Sequence, residues 1–133
     1  MALRTPVSAR GGSAADMTMT VAMVTFDARD ARSLAGWWAR QTGGEVVADH
    51  DGWFLMVSPG PGGGPTLGFQ QVSEPTPGKN RVHLDLGAAD RELEVERLLG
   101  EGALEVARHE TPSFTWVVLS DPEGNQFCVS QQH

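Results

Sequence analysis

The chain has 133 residues, a formal net charge of −7, a pI near 4.9 and one cysteine. That length buries enough apolar surface for one domain without disulfides, and Cys128 has no second cysteine to pair with. An acidic chain whose only lysine is Lys79 lacks the basic stripe on which nucleic-acid affinity rests, and no run of about 18 apolar residues offers a membrane span. A reducing cytoplasm is the expected setting.

Residues 1–18 carry Arg4 and Arg10 among Ala, Ser, Thr and Gly and are expected to be a disordered leader to a single domain spanning 19–133. Val21 to Phe26 has the β-branched and apolar content of a strand, which Asp27-Ala28-Arg29-Asp30 should interrupt. Asp30 suits a helix N-cap. Leu34, Trp37 and Trp38 follow at helical spacing and Gly43-Gly44 closes the segment; at least one of the adjacent tryptophans should pack under the sheet. Short strands are predicted at Glu45 to Ala48, at Trp53 to Ser58 after the Asp51-Gly52 turn, and at Thr66 to Val72. Pro59 to Pro65 reads as a flexible connection, since it lacks the Gly-Lys-Ser/Thr ending of a phosphate loop.

Ser73 to Asn80, with Pro75, Pro77 and Gly78, reads as a linker, and the order then repeats. Arg81 to Leu86 forms a strand on which His83 and Asp85 share a face. Asp90 caps a helix whose apolar side is Leu93, Val95, Leu98 and Leu99, ending near Gly100 and Gly102. Strands at Leu104 to Ala107, Ser113 to Leu119 and Gln126 to Ser130 complete the second unit. A shift of sixty residues lays Met23 to Asp30 on His83 to Asp90, Glu45-Val46 on Glu105-Val106, and Leu67-Gly68-Phe69 on Phe127-Cys128-Val129. Two copies of one β-α-β-β-β unit are implied, about 19–72 and 81–131, neither burying its apolar face alone.

This order, the strand Val82-His83-Leu84-Asp85-Leu86 and the closing Asp121-Pro122-Glu123-Gly124-Asn125-Gln126-Phe127-Cys128-Val129 resemble the vicinal oxygen chelate superfamily, and most nearly its small glyoxalase-like domain proteins. The superfamily holds glyoxalases, bleomycin-resistance proteins, fosfomycin-resistance enzymes and extradiol dioxygenases. The resemblance implies an α+β fold in which tandem βαβββ modules form a curved, cup-like sheet. It also implies a homodimer, some relatives building the cup from units of both chains.

Metal-binding members place one ligand on the first and one on the last strand of each unit. Carried over by position, those sites are Met23, Gly68, His83 and Cys128. Glycine brings no donor and a thioether is too soft for an oxygen- and nitrogen-rich octahedral site, so no metal site and no cofactor is predicted; Asp85 or Gln70 would have to supply a third ligand to any zinc begun by His83 and Cys128. His83 and Asp85 are the candidate proton-transfer pair, against the reading that the two satisfy each other structurally. Met23, Trp53, Gly68, Gln70, Trp116 and Cys128 are the candidate ligand-binding positions, the strand tryptophans offering flat walls to an aromatic guest. Cys128 reads as an inert core thiol that still faces the cup. His50, His109 and His133 are expected to be solvated rather than functional.

Three functions remain open at this point. The favoured one is a metal-free small-molecule binding protein of the glyoxalase/bleomycin-resistance kind, holding an apolar or aromatic metabolite or antibiotic. The alternatives are a glyoxalase-type lyase or isomerase acting on a carbonyl compound through His83 and Asp85, and an accessory dimer that binds nothing.

Overall fold

The computed structural model describes residues 18–132, so the expected leader falls outside the described residues but for Thr18. Ten elements follow in chain order: β1 (Met23–Ala28), α1 (Ala31–Thr42), β2 (Val46–Asp49), β3 (Phe54–Val57), β4 (Thr66–Gln71), β5 (Leu84–Ala88), α2 (Arg91–Gly100), β6 (Leu104–Glu110), β7 (Thr115–Ser120) and β8 (Gln126–Gln131). They form two four-stranded mixed sheets of identical layout, β1-β4-β3-β2 and β5-β8-β7-β6, in which the first and last strands of each unit run parallel. This is the expected α+β tandem βαβββ fold.

Strand ends differ from the sequence expectation in one instructive way. β1 continues through Asp27 and Ala28 because their partners Gln70 and Gln71 hold them in the ladder, and tertiary pairing overrides the poor strand propensity of Asp. β5 starts only at Leu84, leaving His83 just outside the ladder.

Each helix is entered by the same device. Asp30 and Asp90 accept from the backbone N–H of Ser33 and Leu93, 3.1 and 3.2 Å away. Gln71 and Gln131, sixty residues apart at the ends of β4 and β8, then accept from the first-turn N–H of Ala31 and Arg91 and donate back to the carbonyls of Arg29 and Ala89. Gly43 ends α1 at φ 76°, a left-handed conformation that glycine adopts without a Cβ clash.

The core lies between each sheet and its helix and continues across the joint between the units. Both tryptophans of α1 are buried. Trp38 packs 5.5 Å from Phe26 and 5.0 Å from Phe127, and Trp37 meets Phe127 edge-on while its Nε1–H donates to the carbonyl of Glu101 at 2.6 Å. Adjacent residues on one helix can both be buried here because the second unit covers the flank that would otherwise face water. On α2 only Val95 and Leu98 are buried, whereas Leu93 and Leu99, expected on its apolar side, are exposed.

The Asp121–Asn125 turn ties the units together. The buried Asp121 carboxylate accepts from Trp38 Nε1–H at 3.0 Å and from the backbone N–H of Glu123 and Asn125, both at 2.9 Å. Glu123 accepts from the N–H of Arg29 and Asp30 at 2.7 and 2.9 Å, at the entrance to α1. Three donors of the first unit, Trp38 Nε1–H and the N–H groups of Arg29 and Asp30, are thereby satisfied across the joint.

Candidate functional site

Alternation along each strand divides its side chains between a core face and a cup face. In the first unit Val24, Phe26, Leu55, Val57, Leu67 and Phe69 turn to the helix, and the intervening residues turn away from it. The ladder arranges the cup-face residues in rows. Thr25, Gly68 and Met56 form one row, and Asp27, Gln70 and Phe54 the next. Beyond Phe54, His50 closes the β2–β3 hairpin, its N–H donating to the Phe54 carbonyl at 2.9 Å.

The second unit repeats these rows with other chemistry. Asp85, Cys128 and Val118 form the first, while Gly87, Ser130, Trp116 and His109 form the second. His83 lies one step before Asp85 on the same face, as the sequence predicts, and its Nε2 is 3.3 Å from Asp85 Oδ1. Ligand atoms of His83, Asp85 and Cys128 all fall within 4.8 Å of one another. The structure therefore brings together three of the residues singled out from the sequence. The side chains of His83 and Asp85 are 43% and 74% exposed, so their pairing is a solvent-screened contact and not a buried ion pair.

Cys128 differs in being buried. Burial pushes its thiol above the ordinary range, and the neighbouring Asp85 carboxylate, by charge and by hydrogen bonding, pushes it further. A thiol held neutral in this way packs as a small apolar group and is a poor nucleophile.

The first unit has no such trio. A Cβ added at Gly68 would meet Thr25 Oγ1 at 2.7 Å, Met23 Sδ at 3.0 Å and Phe54 Cζ at 3.2 Å, so the space a ligand side chain would need there is already filled. The positional metal set therefore does not fit a hard divalent ion: Gly68 offers no donor, Met23 offers a thioether, and only His83 and Cys128 remain. His83, Asp85 and Cys128 are a donor set that zinc accepts, but they come from one unit alone.

The remaining candidates are placed as follows. Met23 and Gln70 lie on the cup face of the first unit, Gln70 opposite Asp27 and Phe54. Trp116 lies on the cup face of the second. Trp53 does not belong to β3 as expected; it precedes the strand, 59% exposed, with its ring 5.9 Å from His50 and 6.2 Å from Phe54. Phe54, not singled out from the sequence, stands instead on the cup face in the row of Gln70 and Asp27. His109 stacks on Trp116 with ring centroids 5.0 Å apart and planes 26° from parallel, so this histidine is not simply a solvated surface residue. A cavity of about 490 Å³ opens at the joint between the units, beside His83 and lined also by Thr25, Asp27, Asn80 and Gln126. A larger one, about 740 Å³, lies between the 59–65 loop and α2, and its lining includes Asp85 but neither His83 nor Cys128.

Residues 23–130 match the family model described as Glyoxalase-like domain. The chain belongs to the glyoxalase-like domain family. Similar solved structures include a glyoxalase/bleomycin resistance protein/dioxygenase family enzyme from Burkholderia phytofirmans PsJN, at 20% identity over 85% of this chain and 98% of that one, with a TM-score of 0.70. TnmS3, an antibiotic binding protein from Streptomyces sp. CB03234, is similar at 21% identity over 87% and 98%, with a TM-score of 0.66. A lactoylglutathione lyase from Agrobacterium tumefaciens is similar at 16% identity over 86% and 94%, with a TM-score of 0.63. At these identities the likeness is one of fold. No curated protein matches the sequence. No helix among the described residues is long and apolar enough to cross a membrane.

Proposed function

We propose that this glyoxalase-like domain is a small-molecule binding protein whose cup holds an apolar or aromatic metabolite or antibiotic without a metal ion. The observation that carries the reading is the first unit's cup face. At the position that carries Asp85 and Cys128 in the second unit, Met23, Thr25, Met56 and Gly68 offer no metal-ligating pair. Met23, Met56 and Phe54 give the face its apolar surface, with Asp27 and Gln70 one row further on, a lining suited to contact and stacking. The antibiotic-binding neighbour shows that the fold serves such a role elsewhere.

The working form is a homodimer in the cytoplasm. β1 and β5 each pair on one side only, and the cup faces are open, so a second copy that brings further strands beside them would enclose a guest.

One observation favours a second reading, a lyase or isomerase: the 3.3 Å approach of His83 to Asp85 beside the 490 Å³ cavity. There His83 would take a proton from carbon next to a carbonyl, with Asp85 stabilising the imidazolium formed.

Native mass spectrometry of the purified protein, together with elemental analysis, separates the two. A dimer carrying an organic mass and no stoichiometric metal supports the binder. One divalent ion per chain, lost in His83→Ala, contradicts it.

A further inference from the structure

We infer that the second unit's cup takes a planar aromatic ligand bearing an acidic group, with the ring against Trp116 and the acid received by His109 at the β6–β7 hairpin tip, and that His50 with Phe54 offers a weaker copy of the same subsite. The inference rests on the small-molecule reading and gives its ligand a chemical class.

The histidine beside an aromatic ring recurs in both units. His109 pairs with Trp116 across its hairpin, and His50 closes its own hairpin opposite Phe54, with rings 6.2 Å apart. Packing of the core demands neither histidine, since both lie on the face away from the helices and both are exposed.

The His109 imidazole covers one flank of the Trp116 indole, and Phe114 lies 5.8 Å from it. The next positions in that row are Ser130 and Gly87, the smallest side chains available there, so a flat ring lying beside the indole meets no bulky side chain until Gln132, whose Cβ and Cγ stand 3.7 Å from where a Cβ on Gly87 would be. In the first unit the corresponding space is narrower, because Gln70 and Asp27 follow Phe54 and the Phe54 ring reaches over Gly68.

Asp85 and Asp27 sit on the first strands of their sheets, at the edge opposite the hairpin tips, roughly 14 Å away at three strand spacings of about 4.8 Å. They repel an anion at that edge. At the tip, neither His109 nor His50 makes a side-chain hydrogen bond to another described residue, and an imidazole keeps an N–H to donate in either protonation state. Among neighbouring charges, Arg108 is engaged by Glu92 and Glu105, Asp49 beside His50 is held by Arg32, which Asp51 also faces, and Glu110 follows His109 on β6 and so alternates to the opposite face of the sheet.

The test titrates the chelator-treated protein with two dyes of one skeleton, anionic 1-anilinonaphthalene-8-sulfonate and neutral N-phenyl-1-naphthylamine. The wild type should bind the anionic dye roughly tenfold more tightly. His109→Ala should erase that preference while sparing the neutral dye, and His50→Ala should do so less. Trp116→Ala should weaken both dyes, with Trp116→Phe restoring part of the binding and so excluding loss of fold. Equal affinities in the wild type, or an anionic preference that survives in the His50→Ala/His109→Ala double variant, overturn the inference and leave the binding reading standing. Binding of neither dye overturns the aromatic cup itself.

Discussion

The two units share a backbone plan but not a cup. Their core faces are built alike, with Phe26, Phe69, Leu55 and Val57 in one and Leu86, Val129, Val117 and Leu119 in the other, and each helix is entered through the same Asp and Gln contacts. On the cup faces, Met23, Thr25 and Gly68 stand where the second unit has His83, Asp85 and Cys128. Folding constrains the face packed on a helix, because every change there alters a close-packed interior, and leaves the open face free to change its chemistry. In the row of Gly68, beside Met23, the first unit offers Thr25 and Met56, where the second offers Asp85, Cys128 and Val118 beside His83.

The largest expected effect lies where the units meet. Trp38→Ala removes the side chain that joins Phe26 to Phe127 and leaves the Asp121 carboxylate without its indole donor; urea unfolding should show a loss of about 3–5 kcal/mol. A loss under about 1 kcal/mol would mean that the units do not share a core.

Gly68→Cys, which gives the first unit the residue of the second, sharpens the comparison directly. The new Cβ meets Thr25, Met23 and Phe54 at 2.7–3.2 Å, so thermal unfolding should register a cost of about 1–3 kcal/mol from overpacking. Unchanged or increased stability would show that the first cup is not filled as described.

Because burial and Asp85 hold the Cys128 pKa above its ordinary value, the native thiol resists deprotonation: its contribution to stability is full below the unfolded thiol's pKa and is lost as pH rises toward the folded one. Iodoacetamide should therefore modify native Cys128 more slowly than a free thiol at mildly alkaline pH, and Asp85→Asn should speed the reaction by removing the nearby negative charge. An alkylation rate matching that of a free thiol would refute the assignment.

Smallest of all, His83→Ala should change stability by no more than about 0.5 kcal/mol, since its contact with Asp85 is solvent-screened. A larger loss in denaturant unfolding would make the pair structural after all.

Much of this was legible in the chain itself, for a physical reason. The shift of sixty residues holds wherever the repeat carries no insertion, so it aligns β1 with β5 and β4 with β8 and finds Met23 against His83 and Gly68 against Cys128. It fails at the hairpins. Phe54 corresponds to Trp116, an offset of 62, and His50 to His109, an offset of 59, because the hairpin tips differ in length. Those offsets hide the matched histidines, which individually look like solvated residues. Trp53 was drawn into a strand by its β propensity, yet the Asp51-Gly52 turn, with both residues at positive φ, delays the ladder to Phe54.

On the proposed function, the faces turned away from the helices bind a planar small molecule without a metal. A proton–nitrogen correlation spectrum of the chelator-treated protein, titrated with 1-anilinonaphthalene-8-sulfonate, tests it most directly. The expected result is shifts at the Trp116 indole and at the amides of Gly68, Cys128 and Ser130, with the α1 and α2 amides unmoved. Shifts confined to the helices, or appearing only after a divalent ion is restored, would contradict it.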